Sequence, residues 1–174
     1  TGAIYDHASN SFTNTTVGLS NVIVGYGSAV TTNLAMTNAS GFRVDLKTVS
    51  SSTNTNFSLA NIAGVVAGNS TSPLLSMGTG VTNIGAFTNQ VVEVSGDDSS
   101  LNGAVTNLAT NTVTVTGAIY DHASNSFTNT TVALSNVIVG YSAPVSSNLA
   151  MTNASGFRVN LKTASSSTNS SLSL

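Results

Sequence analysis

Cysteine and tryptophan are absent from this chain of 174 residues, proline occurs twice, and charged residues make up only 6%. The lack of cysteine excludes a disulfide framework and thiolate metal sites. Four basic residues are too few for the cationic surface that nucleic acid or an anionic membrane would need. No apolar run approaches the roughly 18 residues of a membrane-spanning helix. We therefore predict no nucleic-acid partner and no membrane span in this segment.

Hydroxyl and amide side chains take the place of charge. Serine, threonine and asparagine supply 74 of the 174 residues, while apolar residues still make up 40%. That apolar fraction is enough for a core, so disorder is not expected on composition. Surfaces kept soluble by hydroxyls and amides are common in exported bacterial fibres and adhesins. We therefore expect an extracellular or cell-surface location.

The chain repeats its own sequence. Residues 116–174 align with residues 1–59 at a constant offset of 115 and without a gap, and 48 of the 59 positions are identical. A period of this length fits one small domain. It is far longer than a solenoid turn, which takes about 20–50 residues. We predict that the chain is a window on a longer array and holds one full period and about half of another.

Period-two alternation of apolar and polar residues predicts strands rather than helices. The clearest alternation predicts a strand over residues 42–47, with Phe42, Val44 and Leu46 on the core face. Residues 17–24 are predicted to form an edge segment at the start of the domain. Further strands are predicted over residues 30–36, 57–59 (with Ile62 as an extension), 74–77, 87–94 and 112–120. A hairpin turn is expected at residues 38–41, a polar loop at 50–54 and a turn at 68–73.

This pattern gives about seven short strands in each period of 115 residues, with turn signals at intervals of 8–15 residues. It is typical of all-β proteins and predicts an Ig-like antiparallel β-sandwich in tandem repeats. The core would be filled by aliphatic residues and the six phenylalanines. A β-helix is the alternative fold, because β-helical proteins are also rich in serine, threonine and asparagine.

Two short motifs occur in the same order in each copy. Residues 134–141 read LSNVIVGY and residues 148–156 read NLAMTNASG, and residues 19–25 and 33–41 match them. This order resembles the opening of the Ig-like choice-of-anchor domains, which are similar to the abnormal-spindle/hydin type. Residues 96–103 followed by residues 112–117 resemble the final hairpin of the same repeats. The resemblance implies a multi-domain bacterial surface protein without catalytic residues.

On this basis one complete Ig-like repeat is predicted over residues 13–120. Residues 1–12 would be the end strand and linker of a preceding repeat, and residues 124–174 the first half of the next. That half would need strands from a neighbour to bury its apolar face, as in strand donation. We therefore expect one stable domain with a frayed tail, and a homo-oligomer or polymer formed through neighbouring repeats.

No catalytic site is predicted, and the chain is not expected to be an enzyme. The only histidines lie in the pairs Asp6-His7 and Asp121-His122, each directly after a predicted terminal strand. We expect these pairs to form exposed hinges between domains. Serine is so abundant that a serine–histidine–aspartate triad cannot be recognised from the sequence.

Calcium is the single cofactor for which the sequence offers candidates. In an Ig-like sandwich the loop before the final strand lies at the same pole as the entering linker. Asp97 and Asp98 would then approach Asp6, with Asn10 nearby, and hard oxygen ligands suit Ca²⁺. The competing interpretation is that residues 96–99 form an ordinary turn, and no other cofactor is expected.

Seven N-glycosylation sequons occur, but composition alone would give nearly as many. They lie at Asn14, Asn38, Asn56, Asn69, Asn129, Asn153 and Asn169. Near-identical adjacent domains without distinct sites favour a structural component of an extracellular fibre, stalk or surface coat. The alternative is an adhesin or carbohydrate-binding module, which would need exposed aromatic residues, and the chain has only four tyrosines.

Overall fold

A computed structural model describes residues 2–167 and residue 171. These residues form strands, turns and irregular segments, and no helix occurs among them, so none is available to span a membrane. The prediction of an all-β chain is confirmed. The chain divides into two compact units, Thr1–Ile119 and Tyr120–Leu174.

Most of the first unit is built from short strands that follow one another with few intervening residues. They are β1 (Asn10–Phe12), β2 (Thr16–Gly18), β3 (Val22–Ile23), β4 (Val30–Asn33), β5 (Met36–Asn38), β6 (Leu46–Ser52), β7 (Phe57–Leu59), β8 (Ser70–Thr71), β9 (Leu74–Met77), β10 (Gly85–Asp97) and β11 (Ala109–Tyr120). The two longest, β10 and β11, pair antiparallel over eleven register positions.

The long hairpin is the centre of a five-stranded sheet. Its order is β2-β11-β10-β6, with β3 also paired to β11. β2 runs parallel to β11, and β6 runs antiparallel to β10. Valine and threonine alternate along β11, so that Val113 and Val115 are fully buried while the threonines point away. The alternation read from the sequence is therefore confirmed for this strand.

Two smaller sheets complete the first unit. One has the order β4-β9-β7 and the other the order β1-β5-β8, and all of their pairings are antiparallel. In the β4-β9-β7 sheet, the side chains of Leu75, Met77 and Phe57 pack against the five-stranded sheet, where they meet Val91 and Val113. A second, smaller cluster is formed by Ala8, Met36, Leu46 and Val65. Apolar residues of facing sheets thus share a core, an arrangement consistent with a β-sandwich.

The second unit pairs β12 (Asn125–Phe127) with β13 (Met151–Asn153). This pairing reproduces the β1–β5 pairing of the first copy, register position by register position. An isolated parallel bridge joins Asp121 to Arg158, as another joins Asp6 to Arg43.

The strands predicted over residues 57–59 and 74–77 are present, and those predicted over 87–94 and 112–120 lie within β10 and β11. The strand predicted over residues 42–47 is wrong for residues 42–45. There the backbone bridges to Asp6, with Val44 N donating to Asp6 O and Asp6 N donating to Phe42 O. Phe42 is consequently 74% exposed, and not all phenylalanines belong to the core.

The hairpin predicted at residues 38–41 is also wrong, because β5 pairs with β1 and β8 rather than with β6. The predicted loop over residues 50–54 begins inside β6, and the predicted turn over 68–73 contains β8. In β6 and β8 polar residues join a sheet through backbone hydrogen bonds, which every non-proline residue can make whatever its side chain.

Residues 6–12, which the sequence placed with a preceding repeat, are bonded to the strands that follow them. β1 pairs with β5, and Ala39 N donates to Ser9 O. Residues 3–5 lie outside any strand.

Candidate functional site

A row of polar side chains points into the first unit from β10. Glu93, Ser95 and Asp97 occupy alternate positions, and all three are buried. Charged side chains are seldom fully buried unless they are paired. The two acids are therefore the residues whose surroundings most need a physical explanation.

The Asp97 carboxylate is held by three hydrogen bonds. Its Oδ1 accepts from Ala8 N at 2.8 Å, and its Oδ2 accepts from Val105 N at 2.9 Å. His7 Nδ1 lies 2.7 Å from Oδ2, and the histidine ring is half exposed. Burial by itself would raise the pKa of the Asp97 carboxyl. The hydrogen bonds from Val105, His7 and Ala8 outweigh it, so this pKa lies below its ordinary value.

Glu93 lies in an uncharged setting. Its Oε2 accepts hydrogen bonds from Asn10 Nδ2 at 2.9 Å and from Asn111 Nδ2 at 3.0 Å. Asn111 Nδ2 also donates to Asn10 Oδ1 at 3.1 Å, which closes the network. Burial raises the pKa of Glu93, and the two amide donors offset that effect only in part.

Strand β6 pairs with β10 beside Glu93. Glu93 and Ser50 are register partners. Among the described residues, neither Glu93 Oε1 nor Ser50 Oγ has a hydrogen-bond partner, although both atoms are buried. An ionised oxygen buried without a donor is unfavourable, in keeping with the raised pKa of Glu93.

The three candidate calcium ligands hold different protein partners. Asp6 Oδ2 pairs with Arg43 Nη1 at 3.0 Å, while Asp98 Oδ2 accepts from Gly64 N at 2.8 Å. Asp97 makes the three bonds described above, and Asn10 is bonded to Glu93. In the described part of the chain, no three acidic or histidine side chains are grouped so that they could hold a metal ion.

Both histidines are exposed, as expected of the Asp-His pairs. In the first pair His7 also reaches Asp97 across 90 positions of sequence, and Asp6 binds Arg43. The sequence did not indicate the bond to Asp97, because that partner lies far along the chain. The sequence did hold one signal for a buried acid. Glu93 lies two residues after Val91, so both side chains point to the same face of a strand.

An aromatic pair lies beside Asp6 and Arg43. The rings of Tyr5 and Phe42 are 5.9 Å apart and tilted by 47°. With Asp6 and Arg43 they line an open groove of about 500 Å³. The second copy repeats the arrangement, since the Tyr120 and Phe157 rings are 5.8 Å apart. This aromatic surface was not predicted, because the expectation counted only tyrosines and one ring of each pair is a phenylalanine.

The sequons differ in accessibility. Asn38 is buried, with its Nδ2 donating to Val44 O and Val65 O and its Oδ1 accepting from Ser9 N. A glycan at Asn38 is incompatible with this fold. Asn56 is half-buried, and Asn169 lies outside the described residues. The exposed sequon asparagines are Asn14, Asn69, Asn129 and Asn153.

No family model matches the chain, and no curated protein matches it. Among solved structures, the chain is similar to a protein of unknown function from Porphyromonas gingivalis W83, with 12% sequence identity and a TM-score of 0.48. The match covers 68% of this chain and 55% of that protein, so the chain spans just over half of the protein that it resembles.

Proposed function

We propose that the chain is a structural component of an extracellular fibre, stalk or surface coat built from tandem Ig-like repeats. The observation that carries the proposal is the repetition of contacts between the two copies. Asp6–Arg43 at 3.0 Å recurs as Asp121–Arg158 at 2.8 Å. The two copies thus share both their sequence and the geometry of this ion pair, as identical building blocks would.

The positions that differ between the copies add support. They lie mainly at residues 27–32 and 55–57 and at their counterparts. None of the repeated contacts named above involves these positions. The differences therefore leave the contacts that the two copies share undisturbed, which favours a uniform building block.

The buried polar groups of β10 bind other parts of the first unit. Asp97 receives hydrogen bonds from Ala8 and Val105, and Glu93 receives them from Asn10 and Asn111. These bonds fasten residues 7–10 to the central hairpin. Buried hydrogen bonds of this kind favour one arrangement of a core over its alternatives.

Electron microscopy of the purified chain, and of arrays with more periods, tests the proposal. A fibre or stalk component forms rods whose length grows with the number of periods. Globular particles that do not lengthen as periods are added would contradict it.

An adhesin or carbohydrate-binding role is the second candidate, and the Tyr5–Phe42 pair favours it. Sugars bind to aromatic faces flanked by polar side chains, and Asp6 and Arg43 supply those side chains. Glycan-array binding that is weakened in Phe42→Ala and lost when Phe157→Ala is added would support this role, because the second copy repeats the pair. The control is Val49→Ala, which removes another exposed apolar side chain that does not line the groove, at a position where the second copy already has Ala164.

A further inference from the structure

The loop at the tip of the long hairpin contains a chemically distinctive pair of residues. The chain has 21 asparagines, and Asn102 is the only one that is followed by glycine. The pair lies between β10 and β11, and both Asn102 and Gly103 are exposed. Because glycine has no Cβ, its backbone nitrogen is less hindered than that of any other residue when it approaches the preceding side chain.

The same two residues form the centre of a tight turn. Ala104 N donates to Leu101 O at 3.1 Å, which closes a four-residue turn over residues 101–104. Gly103 has a φ of 93°, in the left-handed region that a type II turn requires at its third position, whereas the φ of Asn102 is negative. The turn therefore favours glycine directly after Asn102.

The two groups that could react with each other are unrestrained. Within the part of the chain that the structure describes, no hydrogen bond holds Gly103 N or the side-chain amide of Asn102. A Cβ built at Gly103 would meet no atom within 4 Å beyond its chain neighbours, so the space around the turn is open. No partner therefore keeps the Gly103 nitrogen away from the Asn102 carboxamide.

Asn107, in the same loop, has the opposite surroundings. It is also exposed, but Leu108 follows it, and Leu108 N donates to Ser95 O at 2.8 Å. That bond directs the N–H of Leu108 toward Ser95, and the leucine side chain hinders its approach to Asn107. The two asparagines thus share their exposure and differ in the residue that follows.

We propose that Asn102 is a site of spontaneous deamidation through a cyclic imide formed with Gly103. Gly103 N loses its proton to a base from the solvent and attacks the side-chain carbonyl carbon of Asn102. A bond forms between Gly103 N and Asn102 Cγ, and the bond between Cγ and Nδ2 breaks. The Nδ2 group takes a proton from the solvent and leaves as ammonia.

Water then opens the imide at one of its two carbonyl carbons. Attack at Cγ breaks its bond to Gly103 N and gives aspartate with an ordinary backbone. Attack at the main-chain carbonyl carbon of Asn102 gives isoaspartate, in which the backbone runs through Cβ and Cγ. Either route consumes one water molecule and needs no oxidant, reductant or cofactor.

Isoaspartate at this position would alter the support of the buried Asp97. It adds a backbone atom inside the turn, so the bond from Ala104 N to Leu101 O cannot keep its geometry. The next residue, Val105, donates its N–H to Asp97 Oδ2 at 2.9 Å, and Asp97 N donates to Val105 O at 2.7 Å. We therefore expect the hairpin tip to open more readily after the change.

Peptide mass mapping of the full chain after incubation at pH 8 and 37 °C tests the proposal. Asn102 should convert to a mixture of aspartate and isoaspartate, and conversion should slow at lower pH, because Gly103 N must lose a proton. Asn107 should stay intact as the internal control. Asn102→Gln should abolish the reaction at this position, since its longer side chain must close a larger ring.

Two results would overturn the proposal. One is conversion of Asn102 that is no faster than that of Asn107, although a free peptide of residues 99–105 reacts under the same conditions. The other is aspartate without isoaspartate, because direct hydrolysis of the side chain gives only the former. Neither result depends on whether longer arrays form rods, so the structural role is tested separately.

Hydrogen exchange at Val105 tests the effect on the hairpin tip. The N–H of Val105 should exchange faster in the chain that contains isoaspartate than in fresh Asn102→Asp, which adds the same charge on an ordinary backbone. Equal exchange in the two proteins would contradict the coupling between the turn and Asp97.

Discussion

At the scale of single residues, two acids on the same face of one strand have opposite electrostatic surroundings. Asp97 receives three hydrogen-bond donors, and its pKa is lowered, whereas burial of Glu93 among neutral amides raises its pKa. Ionised Asp97 therefore stabilises the fold, and ionised Glu93 destabilises it. Their contributions change with pH in opposite directions.

Glu93→Gln should raise the stability of the first unit at neutral pH by about 1–3 kcal/mol. The amide oxygen can accept from Asn10 and Asn111, and the neutral side chain avoids the burial of a charge. The native protein binds the Glu93 proton more tightly than the unfolded chain does, so this residue lowers stability as pH rises above its ordinary pKa of 4.5.

Urea unfolding at pH 3 and pH 7 measures this effect, and the gain should shrink at pH 3. Asp45→Asn serves as the control for loss of an acidic charge, because the second copy already has Asn160 there. A Glu93→Gln protein that is less stable than the parent at pH 7 would contradict the assignment.

Asp97→Asn should destabilise the first unit at neutral pH by about 2–3 kcal/mol. The amide offers one acceptor oxygen for three donors, and its NH₂ group faces backbone N–H groups. The stability due to Asp97 is present above its ordinary pKa of 3.8 and is lost as pH falls through the lower pKa of the folded state. The variant and the parent should therefore converge in acid, and a difference that persists unchanged at pH 2 would contradict this.

Removal of divalent cations should leave the thermal midpoint unchanged. The carboxylates of Asp6, Asp97 and Asp98 hold protein donors. A thermal melt with and without a chelator measures this, and a fall of several degrees on chelation would show that calcium is bound after all.

At the scale of elements, glycine determines how closely the long hairpin can approach the loop that closes it. A Cβ at Gly96 would clash with Thr106 O, which is backbone and cannot move aside. Gly96→Ala should therefore destabilise the first unit by at least about 1–3 kcal/mol, the usual cost of overpacking.

Gly18→Ala is the matched control, because its Cβ would meet nothing closer than Thr116 Oγ1 at 4.0 Å, and the second copy carries Ala133 there. It should be neutral or slightly stabilising, since alanine restricts the unfolded chain. Urea midpoints of the two variants measure the difference. Equal midpoints would show that the approach to Thr106 is not close.

Strand prediction from the sequence succeeded where apolar residues alternate and failed where the pairing is polar. Val113 and Val115 marked β11, and Leu75 and Met77 marked β9. The serines of β6 and β8 gave no signal, because their pairing depends on the backbone alone. The burial of Glu93 and Asp97 was not predicted, because their partners Asn10 and His7 lie 83 and 90 positions away.

The same sequence can be strand or irregular, depending on its partners. Residues 2–5 and 117–120 both read GAIY. Ile119 is fully buried in β11, whereas Ile4 is 95% exposed. Propensity is identical in the two places, so the sheet context alone decides the outcome. No single-sequence pattern could have distinguished them.

At the scale of the whole molecule, the repeat is the feature that can be read completely from the sequence. The two copies, related by an offset of 115 residues, share the ion pairs Asp6–Arg43 and Asp121–Arg158, whereas the His7–Asp97 bond belongs to the first unit. The domain limits proposed from the sequence follow the repeat only in part, since residues 6–12 are bonded within the first unit. The sequence did not indicate that polar bonds from β10 would fasten them there.

The most direct test of the proposed role is small-angle X-ray scattering from arrays of one, two and four periods. β10 contains 13 residues, which at about 3.4 Å per residue span about 44 Å. Repeats stacked end to end should lengthen the particle by about that amount per period, while the radius of its cross-section stays constant. A maximum dimension that barely grows while the cross-section thickens would contradict a fibre or stalk.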